Sequence, residues 1–98
     1  MKRKKLTPTT PGEMLLKEFL KPMKISQYKL AKAICVPQIR ISQIIKGKRA
    51  ITPDTALRLG RYFNTTAEFW MNLQTGYDLK IVRKKIGKQI NKIIPPAA

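Results

Sequence analysis

The chain contains no histidine and a single cysteine, Cys35, among its 98 residues. Without histidine there is no His–Cys zinc site, no Ser–His–Asp triad and no imidazole to serve as a general acid. One thiol excludes an internal disulfide framework and suits a reducing, cytoplasmic setting. Acidic residues are scarce as well: the chain has five Asp and Glu in all, scattered without metal-ligand spacing. Neither a G-x-G-x-x-G stretch nor a Walker loop is present. An enzyme is therefore not expected, nor is any metal or organic cofactor. No apolar run reaches the ~18 residues needed to span a membrane. Residues 1–5 are cationic, as at the start of a secretory leader. Thr7, Pro8, Thr9, Thr10, Pro11 and Gly12 follow in place of an apolar stretch, so no leader is expected.

What the chain has in excess is positive charge. Its 21 Lys and Arg against five acids give a formal net charge of +16. Hydrophobic residues make up 43% and charged residues 27%, which describes a globular chain of one-domain size. A charge this large on so small a domain favours a polyanion: DNA, RNA or an anionic membrane surface.

Local signals predict an all-α fold of about five helices, since no segment alternates with the period of a strand. Thr10, Pro11 and Glu13 form a capping box with proline at the first helical position. Leu15, Leu16, Phe19 and Leu20 then recur at helical spacing until Pro22, which is expected to stop the run. Ser26 caps a second helix with Leu30, Ala31 and Ile34 on its inner face. Pro37 opens a third helix, which turns Ile41, Ile44 and Ile45 inward and ends at Gly47. Thr52, Pro53 and Asp54 start a fourth, with Ala56, Leu59, Gly60 and Phe63 inside. Thr65 and Glu68 have the spacing of a second capping box, opening a fifth helix that carries Phe69, Trp70 and Leu73 towards Gly76. These rings, at helical spacing on apolar faces, are expected in the core and not as a base-stacking platform. The expected organisation is a flexible basic arm over residues 1–9, a domain over 10–77, and a basic amphipathic helix and tail over 78–98.

The second and third helices are separated by about three residues, and two short helices so joined must cross steeply. That is the helix-turn-helix arrangement. Its interior positions are suitably filled by Leu30, Ile34, Val36, Ile41 and Ile44, with the small Ala31 where the helices touch.

Here the chain resembles a known family. Ser26-Gln-Tyr-Lys-Leu-Ala through Ile41-Ser-Gln-Ile-Ile-Lys-Gly-Lys-Arg is similar to the Xre/Cro–C1-type helix-turn-helix of the lambda-repressor-like fold. More narrowly, three phrases are similar to the HigA (VapI) antitoxins: Pro11-Gly-Glu-Met-Leu, Gly47-Lys-Arg-Ala-Ile-Thr-Pro-Asp-Thr-Ala-Leu-Arg-Leu, and Glu68-Phe-Trp-Met-Asn-Leu-Gln followed by Tyr77-Asp-Leu79. The resemblance covers about residues 8–79. It implies a dimeric repressor of its own operon that binds double-stranded operator DNA. It also implies a toxin partner of the HigB type, a ribosome-dependent mRNA endoribonuclease that the antitoxin silences. At the turn position where the family usually carries glycine, this chain has Cys35. A positive φ is expected there, at a cost of roughly 1 kcal/mol for the β-carbon.

In helix-turn-helix complexes the N-terminal half of the second helix of the motif reads base edges in the major groove. This makes Gln38, Ile39, Arg40 and Gln43 the expected base contacts. The two glutamines can pair bidentately with adenine, Arg40 with guanine, and Ile39 can pack on a thymine methyl. For Ile39 the alternative is a core residue displaced by one position; for Arg40 it is a solvated cation or a phosphate contact. Gln27, at the start of the preceding helix, and Ser42, Lys46, Lys48 and Arg49 are the expected backbone contacts. Between residues 26 and 49 the cations Lys29, Lys32, Arg40, Lys46, Lys48 and Arg49 meet no acid, which tilts the cluster from a solvated face towards phosphate.

Beyond residue 78, Leu79, Val82, Ile86, Ile90 and Ile93 form an apolar stripe on an otherwise basic helix that Pro95 and Pro96 end. It can dock on the chain's own core, pair with a second subunit, order only on binding, or serve as a basic tail adding non-specific DNA affinity. Two readings compete with the operator-binding antitoxin. One is a stand-alone basic nucleic-acid-binding protein, an orphan regulator or an RNA binder, with no toxin partner. The other is a membrane-surface helix, which has the charge but no aromatic anchors on its apolar face.

Overall fold

The computed structural model describes residues 9–97, so all of the expected N-terminal arm except Thr9 lies outside the described residues. The described chain is helical throughout, with no strand. Helix α1 is α-helical over Pro11–Met14, π-helical over Leu15–Leu20 and α-helical again over Lys21–Met23. Its start is the expected capping box: the Glu13 amide donates to Thr10 Oγ1 at 3.1 Å, and the Thr10 amide donates to Glu13 Oε1 at 3.2 Å. Pro22 does not stop the helix. A proline lacks the N–H that would bond four residues back, and its ring crowds that carbonyl. The π-helical turn before it takes up the misfit, with the Lys21 amide reaching back to the Leu16 carbonyl. The chain turns away at Lys24, in the left-handed region at φ 57°.

Helix α2 (Gln27–Ala33) is capped by the Ser26 hydroxyl, which accepts from the Lys29 amide at 3.0 Å. Helix α3 (Gln38–Ile45) begins after Pro37, which supplies no side-chain cap. Between them Cys35 takes the left-handed conformation, φ 61°, as the sequence led us to expect. The Cys35 amide donates to the Lys32 carbonyl at 3.2 Å and the Val36 amide to the Ala31 carbonyl at 3.0 Å, which closes the end of α2. The same pattern ends α3 around Gly47, φ 77°, where the amides of Gly47 and Lys48 bond the carbonyls of Ile44 and Gln43.

Helix α4 (Pro53–Phe63) follows Thr52, whose hydroxyl makes no capping bond. Asp54 in its first turn is engaged elsewhere, as shown below. Helix α5 spans Ala67–Ile90 and corrects the sequence reading at both ends. Its cap is Thr66 and not Thr65: the Thr66 hydroxyl accepts from the Phe69 amide at 3.0 Å. The Thr65 hydroxyl instead accepts from the buried Trp70 Nε1 at 2.8 Å, so the indole needed the threonine that the box pattern had claimed. Gly76 does not end the helix either. It stays helical, and the Gln74 Nε2 to Asp78 Oδ1 hydrogen bond, 2.9 Å, spans it by one turn. No break falls between residues 77 and 78, where a segment boundary was expected. The one irregularity is Ile86, at φ −119° and ψ 15°.

The core gathers Leu15 and Leu20 of α1, Leu30, Ala31 and Ile34 from α2 and its end, Ile41 and Ile44 of α3, Ile51 of the loop after α3, Ala56 and Leu59 of α4, and Trp70 of α5. Each large apolar side chain so buried contributes about 1.5–3 kcal/mol. Phe19, Phe63 and Trp70 stack at tilted angles, with Phe19 centred 4.9 Å from each of the other two. The expected core placement holds for Trp70 and Phe63, while Phe69 sits at the rim, edge-on to Trp70. From Leu79 onward, Leu79, Val82 and Ile90 remain nearly half exposed, so the described core does not cover the apolar stripe of α5.

Helix α1 crosses the end of α3 at Gly12, where a β-carbon would overlap the Ile44 carbonyl oxygen and stand 2.7 Å from Ile45 Cα. Both neighbours are backbone, so neither can swing aside. Gly12→Ala is expected to cost about 3 kcal/mol or more in urea unfolding, the upper part of the range for overpacking. A loss below about 1 kcal/mol would show that the crossing tolerates a side chain.

Candidate nucleic-acid interface

Successive residues of a helix are rotated by about 100°, so burying Ile41 and Ile44 decides where the rest of α3 points. Ile39, Gln43 and Lys46 fall opposite the buried pair, with Ser42 beside them and Gln38 and Arg40 on the two flanks. Ile39 is 57% exposed, so it is a surface residue and not a displaced core residue. The Ser42 hydroxyl donates to the Ile39 carbonyl at 3.2 Å, so its proton is used within the helix. Gln43 Oε1 accepts from Arg49 Nε at 2.9 Å, which fixes the glutamine amide on the outer face. The left-handed closure at Gly47 then brings Lys46, Lys48 and Arg49 together, all exposed, just past the helix end. Gln27 stands apart from this set, as the first, half-buried residue of α2.

Arg40 is turned away from that outer face. Its Nη1 donates to Asp54 Oδ2 at 2.7 Å and to Thr55 Oγ1 at 3.4 Å, tying α3 to the start of α4. The same Asp54 oxygen accepts from Arg58 Nε at 3.0 Å. Arg58 Nη1 in turn donates to the Ile34 carbonyl at 2.8 Å and reaches the Cys35 carbonyl at 3.4 Å. One carboxylate therefore holds two guanidinium groups, one from α3 and one from α4 that reaches the turn between α2 and α3. The hydrogen bonds from Arg40 and then Arg58 lower the Asp54 pKa from its ordinary 3.8, against a smaller opposing effect of desolvation.

Sequence reading missed Asp54 and Arg58 as parts of the site, since their partners lie 14 and 24 residues away. It also missed Gln74. That side chain is 8% exposed, and its Oε1 accepts the Ile51 amide at 2.7 Å while Nε2 holds Asp78. Gln74 thereby anchors the loop that carries Lys48 and Arg49. No periodic pattern marks such a residue; a polar side chain on the inner face of α5 is its only signal in the sequence.

The comparisons with known proteins agree with this geometry. A helix-turn-helix family model matches residues 16–70. Virulence-associated protein I of Dichelobacter nodosus is 52% identical over 85 residues, 87% of this chain and 78% of the relative. Antitoxin HigA-1 of Vibrio cholerae is 35% identical over 95 residues, 97% of this chain and 90% of the relative. The solved structure of Pseudomonas aeruginosa antitoxin HigA with the higBA promoter superposes with a TM-score of 0.86 at 45% identity. That match covers 93% of this chain and 99% of the neighbour.

The ion-pair bracket should be visible in acid. A carboxylate with a lowered folded pKa adds stability that is present above its unfolded value, 3.8, and is lost as pH falls through the folded value. Between about pH 5 and pH 2 the wild-type melting temperature should fall more steeply than that of Asp54→Asn. Parallel curves would mean that the bracket contributes nothing to stability. At the turn, Cys35→Gly should raise stability by about 0.5–1 kcal/mol. Relief of the left-handed β-carbon outweighs the extra freedom that glycine brings to the unfolded chain. An unchanged or lower midpoint would show that the turn holds Cys35 without strain.

Proposed function

The chain belongs to the HigA (VapI) family of helix-turn-helix proteins; we propose that it represses its own operon by binding operator DNA and is the antitoxin of a HigB-type toxin. The observation that carries the DNA half is the outer face of α3, where the exposed Ile39 and the half-buried Gln43 stand beside the exposed cations Lys46, Lys48 and Arg49. Laid in a major groove, this face puts Gln38, Ile39 and Gln43 at base edges. Arg40 joins them by exchanging Asp54 for a guanine or a phosphate. Lys46, Lys48, Arg49 and Ser42 then meet the sugar–phosphate backbone, as does Gln27 at the start of α2. The Pseudomonas aeruginosa relative solved with its promoter supports this half. The toxin half rests on family membership: the partner would be an mRNA endoribonuclease of the HigB type.

Two-fold proteins read palindromic half-sites about one helical turn apart, so a homodimer suits this role. The uncovered stripe of Leu79, Val82 and Ile90 supplies an apolar surface for it. The working place of such a repressor is the cytoplasm, where its operator lies.

The test is a salt titration with the chain's own upstream DNA and a scrambled duplex of equal length. A preference of about 10³ or more near physiological salt is expected. Gln38→Ala and Gln43→Ala should each cost about 1–3 kcal/mol on the operator, and far less on the scrambled duplex. Equal losses on both would remove the base-reading assignment. Equal wild-type affinities that collapse together as salt rises would reduce the chain to a counterion-release binder.

A further inference from the structure

The operator reading uses α2, α3 and the loop after α3, and it leaves the cations of the second half of α5 without a task. Lys80, Arg83, Lys84, Lys85, Lys88 and Lys92 follow Asp78 with no acid after it. All six are exposed, and among the described residues none has an ion-pair partner. Lys80, Lys84 and Lys88 stand four apart, so they line one side of the helix while Leu79 and Val82 line the other. Like charges at that spacing weaken a helix, and nothing within the described chain offsets them. The segment is also little covered by the body, with Leu79, Val82 and Ile90 nearly half exposed.

Its starting point matters as much as its charge. Tyr77 and Asp78 line the same cleft as Gly47, Lys48 and Arg49, and Gln74 one turn earlier holds the Ile51 amide of that loop. Helix α5 therefore leaves the body beside the loop proposed to grip phosphate, and its cations begin there.

We infer that residues 80–92, the second half of α5 and the turn that follows it, bind the phosphate backbone of duplex DNA flanking the segment read by α3, prolonging the cationic track of Lys48 and Arg49. This rests on the operator reading for its starting point. The occupant is duplex DNA because the track is continuous with that interface and the helix carries no aromatic side chain beyond Tyr77 on which single-stranded bases could stack.

The experiment compares two duplexes, the operator core alone and the same core with about ten arbitrary base pairs added on each side. Three full-length chains are titrated with salt: wild type; Lys80→Gln, Lys84→Gln and Lys88→Gln combined; and a control of equal charge loss, Lys17→Gln, Lys21→Gln and Lys24→Gln combined, on α1 and the residue that ends it. Circular dichroism checks that all three are equally helical. Flanks should steepen the wild-type log–log slope, and the α5 variant should lose about 2–3 of that slope per chain, at about 0.9 per phosphate released. The control should keep it. Identical slopes for wild type and the α5 variant on the long duplex overturn the proposal, as does an equal loss in the control. If the wild type shows no operator preference but a flank-dependent slope that the α5 substitutions abolish, the operator reading falls and the role of α5 stands.

Discussion

The pose of the recognition helix depends on satisfying two carbonyls at a turn too short to satisfy them itself. Ile34 and Cys35 end α2 with their C=O groups pointing out of the helix, and a charged donor is the strongest partner for such groups. Arg58 from α4 supplies it. Arg58 is itself oriented by Asp54, and Asp54 also holds Arg40 of α3. The turn, the recognition helix and α4 are thus joined by one carboxylate between two guanidinium groups. That explains how a turn can keep a cysteine in the left-handed conformation, φ 61°. The strain is local, and the tie that opposes its release comes from a helix 23 residues further along the chain.

Three of the five acids of this basic chain are spent on such ties. Glu13 closes the start of α1, Asp54 brackets the motif and Asp78 orients Gln74. Each sits where a backbone element must be held against another. Among the described residues, Lys46, Lys48, Arg49 and the cations after Asp78 are left without acidic partners, which is the charge distribution that a polyanion ligand rewards. Folding and ligand binding divide the charged residues between them, and the division follows the fold.

Much of the fold was legible because helices announce themselves locally. Thr10, Ser26 and Gly47 act within four residues of themselves, and the apolar faces of α2, α3 and α4 follow from period alone. The errors arose where a distant group competed for a local signal. Thr65 looked like a cap until Trp70 required its hydroxyl. Pro22 looked like a stop until a π-helical turn absorbed it, and Gly76 looked like an end although no left-handed turn was needed there. In the candidate site, the exposed residues of α3 could be read from the helical wheel. The Arg40–Asp54 and Gln43–Arg49 pairs could not, because side chains choose partners in space and the spacing in sequence carries no trace of the choice.

Those two pairs give the proposed base-reading residues different physical characters. Gln43 is held by Arg49 through one lone pair of its Oε1, and a carbonyl oxygen has two. It can accept from adenine N6 and donate to N7 without breaking the bond it already has, so it meets DNA pre-organised and with little rotamer entropy left to lose. Arg40 must give up a charge-assisted bond to Asp54 before it reaches any base, and Asp54 would then keep only Arg58. A guanine at that position returns a bidentate pair in exchange, whereas other bases return less. Arg40 therefore adds little affinity on average, but a mismatch opposite it leaves the arginine on Asp54. In the proposed complex, Gln43 sets a baseline of recognition while Arg40 acts as a conditional contact whose strength is measured against an interaction inside the protein.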